Sequence, residues 1–170
     1  MERKDPDNTG DELTLLTQFL DFQRATVVLK CEGLTQAQLA ARIEPSTLTL
    51  AGLLKHLALV EDSWFGERLR GLDIGAPWSS IDWDATPDWD FDSAVDDSPA
   101  DLLALYEAAC ARSRESVTTV GDLDAVMVQA NRRGEYYSLR WILLHMIEET
   151  ARHAGHADLL RETIDGTTGD

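Results

Sequence analysis

The chain has 170 residues, 44% of them hydrophobic and 27% charged, and its 31 acidic against 15 basic residues give a formal charge of −16. That length predicts one domain able to bury about 70% of its unfolded surface. So negative a surface repels phosphate backbones and anionic lipid headgroups, which excludes nucleic acid and membrane as partners. No apolar run reaches the length of a transmembrane helix, and the N-terminus MERKDPDNTGDE has no apolar stretch of the kind a secretory signal carries. Cys31 and Cys110 have neither CxxC nor framework spacing, so buried thiols in a reducing cytoplasm are expected.

In chain order, residues 1–11 are polar and expected to be flexible. From Glu12 to about Cys31, Leu13, Leu16, Leu20, Val27 and Cys31 recur at three- and four-residue spacing and predict an amphipathic helix ended by Gly33. TQAQ at 35–38 fits a capping box opening a short helix, with Thr35 as cap and Gln38 reaching back. A second long helix is expected from about Thr47 to Leu69, closed by Gly71.

Residues 72–97 hold eight aspartates and three tryptophans but no Lys or Arg. An acidic, solvated crossover is the plain reading, yet tryptophans favour burial. Trp78, Trp83 and Trp89 are therefore expected to pin the segment across one end of the molecule. SPAD at 98–101 starts a third long helix, with Ser98 as cap and Pro99 in the first turn, running to about Thr119 before Gly121. AVMV at 125–128 has extended character. A fourth long helix is expected from near Ser138 to about Thr163, with residues 166–170 as a tail. The whole is a single all-α domain over residues 12–165, a four-helix bundle. At least one long connection sets it apart from a simple up-down-up-down order.

Three of the four histidines fall in HMIEETARHAGH, residues 145–156. With 100° per residue and His145 as origin, Glu149 lies at about 40° and His153 at about 80°, on an arc shared with Ile142, Met146 and Leu160. A carboxylate interleaved with apolar side chains must be paired or bound to a cation. His56 likewise shares a face with Leu53, Leu57, Val60 and Trp64, while Lys55, Glu61 and Asp62 point elsewhere. Two imidazoles and a carboxylate are the ligand set of a catalytic divalent metal, and bundle cores host such sites. Each residue also has a plainer reading. His56 could be a hydrogen-bonded core histidine, and Glu149 with His153 an i,i+4 surface pair. His145 and His156 cannot converge on the same ion from the same helix, and suit hydrogen bonding behind the ligands or lining of a pocket.

The blocks LDFQRATVVLKCEGLTQAQLAARIEPSTLTLAGLLKHLALVEDSWF and SLRWILLHMIEETARHAGHADLLRE resemble the DinB-like superfamily. The likeness covers residues 13–165 and is greatest to an actinobacterial branch allied to mycothiol-dependent S-transferases and maleylpyruvate isomerase. It implies a bundle with crossed, up-down-down-up connectivity and a divalent metal, zinc first with Ni, Mn or Fe admitted, between the second and fourth helices. Mapped onto this chain, the implied ligands are His56, Glu149 and His153. The maleylpyruvate isomerases carry an extra C-terminal domain, whose thiol-binding residues have no counterpart in these 170 residues.

The resemblance thus implies a thiol S-transferase, using mycothiol or a similar low-molecular-weight thiol against an electrophile it does not identify. A hydrolase with His145 as proton shuttle, and a non-catalytic bundle whose metal braces the helices or a homodimer, are the alternatives. A di-iron centre is disfavoured because paired Glu-x-x-His motifs are missing, and a zincin because H-E-x-x-H is missing.

Overall fold

The computed structural model describes residues 3–131 and 133–168. Met1, Glu2, Gly169 and Asp170, the outer ends of the expected N-terminal segment and tail, lie outside the described residues, as does Arg132. The helices are α1 (Glu12–Cys31), α2 (Gln36–Leu39), α3 (Leu50–Glu61), α4 (Trp89–Asp92), α5 (Pro99–Val120) and α6 (Leu139–Asp165). Among the described residues, β-pairing is confined to one antiparallel bridge between Val126 and Ser138, which is all the extended character of AVMV amounts to. Among the described residues, no helix is long and apolar enough to cross a membrane.

Each long helix starts where a short polar side chain can take up an orphan N–H. Asp11 accepts from Thr14 N, Thr49 from Gly52 N, Ser98 from Asp101 N and Ser138 from Trp141 N. Gly121 and Gly166, at φ of 65° and 76°, close α5 and α6 in the left-handed conformation that glycine adopts without a steric penalty. The second long helix runs to the expected end before Gly71 but differs from expectation at its start and in its geometry. It begins at Leu50, because Thr49 is the extended residue that caps it, and its α geometry stops at Glu61. Asp62–Arg68 then continue the same rod as a π-helix.

Helix α1 lies along α6, α3 lies along α5, and α3 also meets α6. Two apolar clusters fill the interior. One holds Val27, Leu54, Leu57, Ala154 and Leu160, the other Leu20, Phe65, Val117, Ile142 and Met146. On all four long helices a buried polar residue falls between the two: Arg24, Glu61, Ser113 and Thr150. Arg24, 2% exposed, grips Glu61, 0% exposed, through Nε–Oε1 at 2.7 Å and Nη2–Oε2 at 2.5 Å. Lys55, Glu61 and Asp62, which lie off the His56 face, are all buried. They can be, because each meets an opposite charge: Lys55 with Asp97, Glu61 with Arg24 and Asp62 with Arg112.

The acidic crossover has only short regular pieces, the 3₁₀ turns Trp78–Ser80 and Ser93–Asp96 and the single turn α4. Trp78 is buried in the first cluster, with Trp83 and Trp89 packed against that cluster and edge-on to one another. The Trp78 indole donates to Asp62 at 2.9 Å. At the other terminus, Asp7 and Gln18 exchange two hydrogen bonds of 2.8 Å, which tie the N-terminal segment to α1.

Removing one partner of a buried ion pair leaves the other charge uncompensated. Arg24→Met is therefore expected to lower stability by about 3–5 kcal/mol in urea unfolding. Adding Glu61→Leu to that variant recovers most of the loss. A single variant as stable as the parent would show that Glu61 finds another partner.

Candidate metal centre

Helices α3 and α6 bring the distant motifs together. One ligand atom each from His56, Glu149 and His153 lies within 4.8 Å of the others. Glu149 Oε1 is 3.3 Å from His56 Nε2 and 3.1 Å from His153 Nε2. The two imidazoles meet edge to face, with ring centres 5.1 Å apart. A tetrahedral ion with bonds of about 2.0–2.2 Å spaces its donors about 3.3–3.6 Å apart. The atoms that share protons here are thus near the separations a divalent cation needs. Two imidazole nitrogens and one carboxylate suit zinc, nickel, manganese or iron.

The far side of each imidazole is also held. His56 Nδ1 lies 2.7 Å from Asp90 Oδ2, and the ring stacks on Phe91 at 4.5 Å. An ionised carboxylate only accepts, so Nδ1 is the donor to Asp90. His153 Nδ1 lies 3.3 Å from His156 Nδ1. His156 thus stands directly behind a member of the triad. His145 is placed elsewhere: its ring meets Trp64 and Trp141 at 4.9 and 5.0 Å, and its Nδ1 is 3.9 Å from Glu148.

Sequence reasoning missed Asp90. It lies in the DWDFD run, hidden among seven other aspartates of the crossover, and 34 positions from His56. The one local signal was its place between two aromatic residues, Trp89 and Phe91. Also missed was a cavity of about 980 Å³ between the π-helix, the crossover and residues 129–131. His56 and Asp90 form part of its wall, Trp64, Trp78 and Trp83 supply aromatic surface, and Arg68 is its one Lys or Arg among the described lining residues.

The sequence pattern of mycothiol-S-transferases matches residues 15–166. The chain belongs to that family. It is a DinB-like family of actinobacteria, which bears out the resemblance read from the two motif blocks. A comparison with individually curated proteins finds no match.

The electrostatics of the triad follow from its contacts. Burial pulls the pKa of the His56 imidazole down, but hydrogen bonds to Asp90 and Glu149 outweigh it and push the value up to about 9. Hydrogen bonds from His153 and His56 hold Glu149 well below the usual carboxylate range against the opposing effect of burial. Burial and the neighbouring His153 lower His156 from its ordinary value.

These shifts set a pH window for the protein stripped of metal. His56 binds its proton more tightly folded than unfolded, so its contribution is complete below pH 6.5 and is lost as the pH rises towards about 9. Glu149 is the reverse, contributing above its ordinary value of 4.5 and losing that contribution as the pH falls below it. Urea unfolding of chelator-treated protein should therefore show the stability difference between wild type and His56→Gln shrinking from pH 6.5 to 9. A difference that grows over that range would contradict this assignment.

Proposed function

We propose that this chain is a metal-dependent thiol S-transferase, in which His56, Glu149 and His153 hold a divalent cation, zinc in the first instance. Mycothiol or a similar low-molecular-weight thiol and an electrophile would meet beside it. The observation that carries this reading is a three-donor set sharing His56 with the wall of a 980 Å³ cavity, in a member of the mycothiol-S-transferase family. Three protein donors are the count of catalytic zinc sites, whereas structural sites close the shell with four. When bound, such a cation favours the thiolate of a thiol that reaches it.

The chain's own groups account for the rest. Glu149 brings the negative charge that draws a divalent cation, while Asp90 and His156 orient the two imidazoles. The aromatic cavity wall excludes water from one side of His56. Neither cysteine can serve as the nucleophile, because both are buried, and burial pushes the Cys31 thiol up to about 12 and Cys110 higher still. The reacting thiol must therefore be a substrate. Glu67, Asp73, Asp88 and Asp90 line the cavity against one arginine, which favours a neutral or cationic electrophile over an anionic one.

His145 packs between two tryptophans instead of on the triad, which weighs against the hydrolase alternative in which it shuttles the proton. We also infer the crossed up-down-down-up connectivity, supported by the packing of α1 on α6 and α3 on α5. Two unpaired thiols fit a cytoplasmic location.

Metal analysis of protein purified without chelator should find about one divalent ion per chain, consistent with one three-donor site. His153→Ala should abolish stoichiometric binding, and His156→Ala should weaken it far less. In a screen of electrophiles, wild type should speed the loss of free mycothiol and His153→Ala should not. A wild-type protein that binds no divalent metal would overturn the reading.

A further inference from the structure

Asp90 is the most deeply placed carboxylate of the crossover, 3% exposed, and it touches the triad from outside. It and Phe91 are consecutive residues of the single turn α4, so one turn grips the His56 ring twice. Asp90 holds the Nδ1 edge at 2.7 Å, and Phe91 covers one face at 4.5 Å. The turn in turn is fixed to α3. Lys55 Nζ reaches Asp97 at 2.6 Å and sits 4.3 Å over the Trp89 ring. Gly52 lets Phe91 lie directly on the helix, since a Cβ there would stand 3.0 Å from Phe91 Cδ1 and 3.4 Å from its Cα.

We propose that Asp90 is the positioning residue of the centre: it fixes the His56 ring and its Nδ1 proton, so that Nε2 faces Glu149 and His153 as a metal ligand. Through this contact the crossover, which forms one wall of the cavity, is coupled to the bound cation. The inference rests on the triad's being a metal site. An imidazole can bind a metal through either nitrogen, and the one that carries the proton is excluded. A carboxylate that accepts from Nδ1–H selects Nε2, stops the ring from rotating and raises its donor strength. Because the clamp lies in residues 89–91 while Trp78, Trp83 and Asp88 line the cavity, an ion that immobilises His56 also immobilises that wall. The coupling is reciprocal, so a ligand that orders the wall also favours the ion.

The test measures zinc affinity by competition with a chromogenic chelator, for wild type, Asp90→Ala, Asp90→Asn and Asp97→Asn. Asp97→Asn loosens the crossover at Lys55 without touching His56. Asp90→Ala should weaken zinc by about 10–100-fold. Asp90→Asn, whose amide oxygen can still accept from Nδ1–H, should lose less, and Asp97→Asn should change affinity less than about twofold, as a tether outside the ligand shell. Imidazole ¹⁵N spectra of zinc-loaded wild type should show Nε2 as the bound nitrogen of His56 and a protected Nδ1–H, absent in Asp90→Ala. Zinc should slow amide exchange across residues 78–92 in wild type and leave it unchanged in Asp90→Ala.

If Asp90→Ala fails to fold, Asp90→Leu, which fills the site but cannot accept from Nδ1–H, decides: unchanged zinc affinity together with a still protected Nδ1–H overturns the proposal. Equal losses in Asp90→Ala and Asp97→Asn, or a less stable Asp90→Ala that binds zinc as wild type does, reduce Asp90 to a staple of the crossover and overturn it as well. A wild type that does not bind zinc or another divalent ion removes the metal reading and this inference with it.

Discussion

The register of α3 depends on the buried pair between Arg24 and Glu61. The stretch LAGLLKHLAL is apolar almost all round, so hydrophobic burial alone would tolerate a slide of one turn, about 5.4 Å. Such a slide would strand Glu61 among hydrocarbon without its guanidinium, at a cost of several kcal/mol. The pair thereby selects one axial position, and His56 is five residues from Glu61 on the same helix. Because α1 also lies along α6, Arg24 connects the helix of His56 to the helix pair that carries Glu149 and His153. A polar contact some distance from the site thus decides whether its three donors meet.

The acidic crossover shows how an excess of negative charge is put to use. Three carboxylates at its junction with the bundle find cationic or donor partners: Asp90 with His56, Asp97 with Lys55, and Asp62 with Arg112 and the Trp78 indole. Others stay in the cavity wall, where their field raises the local concentration of cations and repels anions. The same segment closes the first apolar cluster with its tryptophans, so burial and electrostatics act on one strip of chain.

The four long helices and most of their ends were legible in the sequence because caps and periodicity are local. Ser98, Ser138 and Gly121 act within a few residues of themselves. His56, Glu149 and His153 were legible for a related reason, since a polar group on an apolar helical face needs a partner and i,i+4 spacing offers one. The helical arc alone does not say what His145 meets. Angle about an axis says nothing of what stands opposite at each height, and one turn before Glu149 the neighbours are Trp64 and Trp141. Asp90 and the burial of Lys55, Glu61 and Asp62 were illegible because each depends on partners 34 to 50 positions away. The π-helix left no mark in composition at all.

The burial of Cys31 and Cys110 has a consequence for durability. A protein that brings thiols and electrophiles together exposes its own nucleophiles to alkylation and oxidation. Here both sulfurs are sealed in the first apolar cluster and kept protonated, so the chain presents no thiolate of its own. Packing thus shields both sulfurs from alkylation and oxidation.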